Sequence, residues 1–241
     1  MRIRGERECT DCGHRWTYYE TGSVECPDCG SVRSVGVDER TQHTDAAVEL
    51  DLTPARALLD DEPIERVAER AADLAGEYVR RRGFIDAGEL RRLDDRYLAA
   101  AELSHVADRL RRAMRPDDET EYHFLELLRL AEAGERPDPA DVSESLRAER
   151  GLAYVDAVRT YRREIGDWDG ADRETIRGDL DRLETHARRI RTLDGDVSPR
   201  IAETLVSAAR SVGDYCRTDA EATLVRARDR LDHLDSQDRL D

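Results

Sequence analysis

The chain has 241 residues, and 39 Lys+Arg stand against 55 Asp+Glu for a formal net charge of −16. Lys and Asn are both absent, so every basic side chain is Arg, and charged and hydrophobic residues each make up 39%. A chain of this length can bury a real core in one or two domains. Its apolar runs are too short for a membrane-spanning helix, and MRIRGERECTDC has no apolar signal-peptide core, so a cytoplasmic location is expected.

Residues 1–38 carry four of the five cysteines and Trp16, with Gly at 5, 13, 22, 30 and 36. They read as short strands and turns: 2–8, 14–19, a turn at Thr21-Gly22-Ser23, 24–25 and 31–37. Residues 39–52 form a polar linker that ends in an extended Val48-Glu49-Leu50-Asp51-Leu52. Everything after Thr53 reads as helix, with predicted spans of 54–61, 63–82, 87–114, 120–133, 139–167, 171–193, 199–216 and 219–235. Thr53, Asp138 and Ser198 each precede a Pro, the pattern of an N-cap followed by Pro in the first turn. Thr218 with Glu221 has the spacing of a capping box, and Gly83, Gly134 and Gly195 stand where helices stop.

Apolar residues step by 4 and 3 in four segments. They are Tyr154, Val158, Tyr161, Ile165 and Trp168; Ile176, Leu180, Leu183, Ala187 and Ile190; Ile201, Leu205, Ala208, Val212 and Tyr215; and Ala220, Leu224, Ala227, Leu231 and Leu234. Such stripes predict an antiparallel α-helical bundle over 53–241, and the whole is expected to be mainly α with a small N-terminal β zinc ribbon.

The chemistry-bearing motif is Cys9-Thr-Asp-Cys12-Gly13, then Cys26-Pro-Asp-Cys29-Gly30 after thirteen residues. Each C-x2-C pair presents two sulfurs, and a glycine after each second cysteine allows backbone amides to approach them without a Cβ in the way. Four protein ligands, Cys9, Cys12, Cys26 and Cys29, fill a tetrahedral ion, so one structural Zn2+ is expected, with iron as the rival metal. Without that ion a fragment of this size has too little core to fold.

Residues 9–30 resemble a zinc ribbon of the kind found in transcription factor IIB and in the ribbon subunits and cleavage factors of archaeal RNA polymerase. Cys12-Gly13-His14-Arg15-Trp16 is similar to the last knuckle of those cleavage factors, but the hairpin Thr17-Tyr-Tyr-Glu-Thr-Gly-Ser-Val lacks their acidic pair. Transcript cleavage is therefore not carried over. The acidic, Arg-only composition resembles that of proteins from salt-loving archaea. The full chain is similar to haloarchaeal proteins that contain a transcription-factor-IIB-type zinc ribbon. The filled metal site and the lack of a catalytic constellation point to a non-enzymatic interaction adaptor with a protein partner, and the ribbon resemblance adds an association with the transcription machinery. The first alternative is direct nucleic-acid binding through the ribbon and an Arg face. The second is a redox protein similar to rubrerythrin, with iron in the four-cysteine site.

Other residues carry weaker signals. Arg15, Trp16 and Tyr18 are the candidate binding surface; period 2 places Trp16 and Tyr18 on one face of the ribbon hairpin, which either packs the ribbon or docks it on the bundle or, as the functional alternative, faces a partner. The single Glu102-x-x-His105 match falls short of a di-iron ligand set and reads as a surface pair, with His105 opposite a Leu103/Ala107/Leu110/Met114 face. Cys216 reads as a buried, inert thiol. His43, His123, His186 and His233 carry no motif. The Arg80–Arg82, Arg111–Arg112 and Arg188–Arg189 runs read as solvated helix ends. No P-loop, GxSxG, HExxH or Rossmann fingerprint is present, which points away from those enzyme classes.

Overall fold

The computed structural model describes residues 1–113 and 115–237; Met114, assigned above to an apolar face, and residues 238–241 lie outside them. In chain order the N-terminal region contains β1 (Arg2–Ile3), β2 (Glu6–Cys9), β3 (Arg15–Thr17), the single turn α1 (Tyr18–Thr21), β4 (Ser34–Gly36) and β5 (Thr41–Gln42). Then follow α2 (Thr53–Arg56), α3 (Ile64–Arg81), β6 (Ile85–Asp86), β7 (Glu89–Leu90), α4 (Asp95–Arg112) and α5 (Asp118–Leu130). The last four helices are α6 (Arg147–Asp167), α7 (Arg173–Thr192), α8 (Pro199–Thr218) and α9 (Glu221–Gln237). The fold is mainly α with a small N-terminal β region, as the periodicity predicts.

At the centre of the bundle lies α6. It packs against α4 and α8 and runs beside α7, while α3 covers α4 and α9 covers α8 and α7. The stripes explain this arrangement. Tyr154, Val158, Tyr161 and Ile165 on α6 and the five predicted positions on α7 are all buried. Fully burying such an aliphatic side chain contributes roughly 1.5–3 kcal/mol. On α8, Ile201 and Tyr215 are only half-buried, and Ala220 lies outside α9 and is exposed. Among the described residues no helix is long and apolar enough to cross a membrane.

Several predicted boundaries shift for identifiable reasons. Residues 87–94 do not begin a helix. Ala87 (φ 50°) and Gly88 (φ 86°) form the two-residue turn of a β6–β7 hairpin that pairs Ile85 with Leu90. Two positive φ angles in succession match the turn that suits strand twist, yet alanine at the first position gives no warning of it. Helix α6 starts at Arg147, not 139: a 3-10 turn at Glu144–Leu146 precedes it, and the Pro137 carbonyl accepts from the Arg150 guanidinium at 2.8 Å. The working N-caps of α4, α5 and α7 are Asp94, Asp117 and Asp172, each accepting from an amide three residues on. Ser198 sits at the cap of α8 with Pro199 behind it. Thr218 closes α8 and opens no capping box, since Asp219 takes the left-handed C-cap at φ 53°.

Residues 39–52 run in close contact with both parts of the chain. Strand β5 pairs with β1, the Gln42 side chain exchanges hydrogen bonds with Asp167 O and Asp169 N, and Thr44 N donates to Ile85 O at 2.8 Å. The buried Asp45 carboxylate accepts from Gly83 N and pairs with Arg82 at 2.7 Å. Leu50 and Leu52 enter the bundle core.

Candidate metal centre

Strand β2 delivers Cys9 at its last residue, flanked by β3 and β4 in the sheet order β3-β2-β4. The two C-x2-C turns are built alike. Cys9 N donates to His14 O and Gly13 N to Cys9 O; Cys26 N donates to Ser31 O and Gly30 N to Cys26 O. Gly13 and Gly30 sit at φ 76° and 71°. A Cβ built on Gly13 meets nothing within 4 Å, and one on Gly30 meets only Glu25 Oε1 at 3.6 Å. The glycines are therefore needed for their left-handed backbone, not to clear space for the sulfurs.

The four thiols converge. Cys9 and Cys29 sulfurs lie 3.7 Å apart, Cys12 and Cys26 sulfurs 3.6 Å, and all four lie within 4.8 Å of one another. A tetrahedron with metal–sulfur bonds of about 2.3 Å has sulfur–sulfur edges of about 3.8 Å, whereas a disulfide would bring two sulfurs to about 2 Å. The spacing fits one ion held by four thiolates. Among the described residues this is the one group of three or more His, Cys, Asp or Glu side chains close enough to hold a metal. The Cys12 amide, then that of Asp11, points at the Cys9 sulfur, and its thiol falls to about 7. The His14 amide likewise favours the Cys12 thiolate, but desolvation and three crowding thiols outweigh it and push Cys12 up to about 12. Four sulfurs this close cannot all ionise without a cation between them.

The candidate surface residues separate. Trp16 is buried (7% exposed), packs with Cys9 and Cys26 in the ribbon's own small core, and donates its indole N–H to Ser23 O at 3.1 Å. Its ring is a structural plug and presents no face to a partner, so Trp16 leaves the candidate binding surface and the packed reading of that face holds for it. That period ends at Thr17, because Tyr18–Thr21 coil into α1, capped by the Thr17 hydroxyl. Tyr18 is half-buried with its ring edge toward His43, at a centroid distance of 6.3 Å. Arg15 remains exposed and pairs with Glu8 across β2 and β3. The exposed ribbon also carries Val24, Val32, Val35 and Val37.

The Glu102/His105 reading needs a larger correction. Glu102 is completely buried (0% exposed) at the α4–α6 contact. Its carboxylate accepts from His123 Nε2 at 3.0 Å, Arg150 Nε at 2.9 Å and the Tyr154 hydroxyl at 3.0 Å. Burial works against the charge, but the His123 hydrogen bond and the Arg150 charge prevail and hold the carboxyl below its ordinary range. His105 is half-buried beside Asp156 at 3.8 Å and takes no part. The partners lie 21, 48 and 52 residues from Glu102, a separation no local motif records. The one hint is a glutamate set in the apolar run 98–103. Cys216 is buried, and burial pushes its thiol up to about 11, as an inert core thiol requires.

The comparisons with curated proteins and with solved structures gave no match. Residues 1–231 match the family described as a family of unknown function (DUF7117), and a match over nearly the whole chain places this protein in that family.

Proposed function

We infer that this protein is a non-enzymatic adaptor whose N-terminal ribbon holds one structural Zn2+ and presents a surface to a protein partner, with the transcription machinery as the specific expectation. The observation that carries this is the closed four-thiol cluster: two backbone turns of one design supply all four ligands of a tetrahedral ion, leaving no position for a substrate. The ion supplies the ribbon's folding free energy and so fixes the exposed edge of β4. The resemblance of residues 9–30 to transcription-factor ribbons supports the transcriptional assignment, a fold-level analogy.

Two measurements test this. Elemental analysis of protein purified without added metal should return one zinc per chain; a red, iron-loaded sample overturns the zinc assignment in favour of a redox role. A photo-crosslinking side chain at exposed Val35, used in the native cell, should form an adduct with a protein of the transcription machinery. Adducts with nucleic acid alone, or with no macromolecule, overturn the adaptor.

A further inference from the structure

A groove of about 620 Å³ runs between α6 and α7, and its lining reverses the charge balance of the chain. Five guanidinium groups face it: Arg159, Arg162 and Arg163 from α6, and Arg188 and Arg191 from α7. Against them stand two carboxylates, Asp156 and Glu184, in a protein where acids outnumber bases 55 to 39. Glu184 is shared three ways, with Arg159 at 3.3 Å, Arg162 at 3.6 Å and Arg188 at 3.6 Å. Asp156 pairs with Arg191, and outside the lining Asp181 reaches Arg162 only at 3.9 Å. Arg163 is exposed and has no ion-pair or hydrogen-bond partner among the described residues. Five cations thus share two carboxylates, and an anion in the groove would complete the balance.

We propose that this groove binds the phosphodiester backbone of a single nucleic-acid strand. Planar guanidinium forks recognise phosphate oxygens in pairs, and the arginines recur about one helical turn (roughly 5.4 Å) apart along α6 and α7. The groove lining contains no aromatic side chain, so the contacts it offers are to backbone phosphates, which carry no sequence information. Length argues for a polymer over a small oligophosphate. Asp156 of the groove lies 3.8 Å from His105, which lines a second cavity of about 670 Å³. That cavity brings Arg109, Arg112 and Arg115, balanced by three carboxylates. One face of α6, from Glu149 through Leu152 and Asp156 to Arg163, lines both cavities and spans about 21 Å at roughly 1.5 Å per residue. The proposal is independent of the metal: it concerns the bundle, and loss of zinc leaves it standing.

Fluorescence anisotropy with labelled oligo-dT and oligo-U, over a salt series, tests it on the full-length, metal-loaded protein. The expected result is salt-sensitive binding of both strands. The double variant Arg163→Ala/Arg188→Ala should lower the slope of log K against log salt by about 1.4, from about 0.7 per phosphate contact, and weaken binding about 25-fold near 0.1 M salt. Both side chains are exposed, so folding should be untouched, and circular dichroism verifies this. Arg66→Ala, an exposed arginine on α3 paired with Glu69, should change nothing. Failure of the wild-type protein to bind either strand at the lowest salt overturns the proposal. So does equal weakening by Arg66→Ala, and so does binding of tripolyphosphate without binding of a strand.

Discussion

Removing either half of the buried Glu102–Arg150 pair should destabilise the bundle severely, while removing both should cost far less than the sum. Each side chain is 0% exposed and the contact is 2.9 Å. Arg150 is additionally held by the Pro137 carbonyl, while its Nη1 makes no hydrogen bond and faces the Glu203 carboxylate at 4.0 Å. Glu102→Leu leaves a buried guanidinium with only the Pro137 carbonyl and a more distant Glu203 and strips an acceptor from His123 and Tyr154; Arg150→Met leaves the carboxylate without its closest cation. Breaking a buried pair from one side costs about 3–5 kcal/mol. At 2–4 °C per kcal/mol for a chain of this size, each single variant should melt about 6–20 °C lower. In the double variant no uncompensated charge remains, so a coupling of up to about 3 kcal/mol should appear in a urea-denaturation cycle. Additive costs, or single-variant costs under about 1 kcal/mol, would refute the claim that this pair organises the α4–α6 contact. The pH dependence has a fixed sign. Glu102 ionises more readily in the fold than in the unfolded chain, so its stabilisation is complete above the ordinary glutamate pKa and is lost as pH falls through the lowered folded value.

Two helix-interior glycines should respond with opposite signs in thermal melts. Gly178→Ala, where a Cβ meets nothing within 4 Å on α7, should stabilise by about 1 kcal/mol. Gly151→Ala, where it would lie 2.1 Å from Gly195 O, should destabilise by about 1–3 kcal/mol. Burial raises the Asp45 carboxyl to about 6 against the pull of Arg82. Stability should therefore fall by up to roughly 3 kcal/mol as pH rises from about 4 to above 6, and urea titrations of Asp45→Asn should show that fall removed. Cys9→Ser or Cys26→Ser should expose Trp16, shifting its fluorescence to the red, while the far-UV helical signal stays mostly intact. Parallel loss of both signals would mean that ribbon and bundle fold as one unit.

What could be read in advance follows the range of the interactions. The sulfur quartet was legible because each turn is local: two cysteines, a glycine that accepts a left-handed angle, and an amide ladder closing within five residues. The bundle was legible because Ile176-Leu180-Leu183-Ala187-Ile190 states its buried face by spacing alone. The β6–β7 hairpin was not, because Ala87 adopts a positive φ that its side chain disfavours and the surrounding strands enforce. Tyr18 does not share a strand face with Trp16, because the alternation stops at Thr17, whose hydroxyl caps a helical turn. Glu102 was misread as exposed because a glutamate is normally solvated, and the three groups that reverse that preference come from α5 and α6, far along the chain.

The path of residues 39–52 bears on how an adaptor of this shape would work. A free tether would let the ribbon sample many orientations, and a partner would have to fix one of them at an entropic cost. Here β5 is paired to β1, Gln42 is bonded to the end of α6, and His43 is buried between Tyr19 and Asp86. Asp45 then clamps the chain to Arg82 and Gly83. Each contact is modest, about 0.5–1.5 kcal/mol for a hydrogen bond, but together they tie the connecting segment to β1, to the end of α6 and to the β6–β7 hairpin. Loosening the strap at Gln42 and Asp45 while leaving the thiols intact would separate two requirements, a folded ribbon and an oriented one, and partner binding that survives such loosening would show that orientation is not what the strap is for.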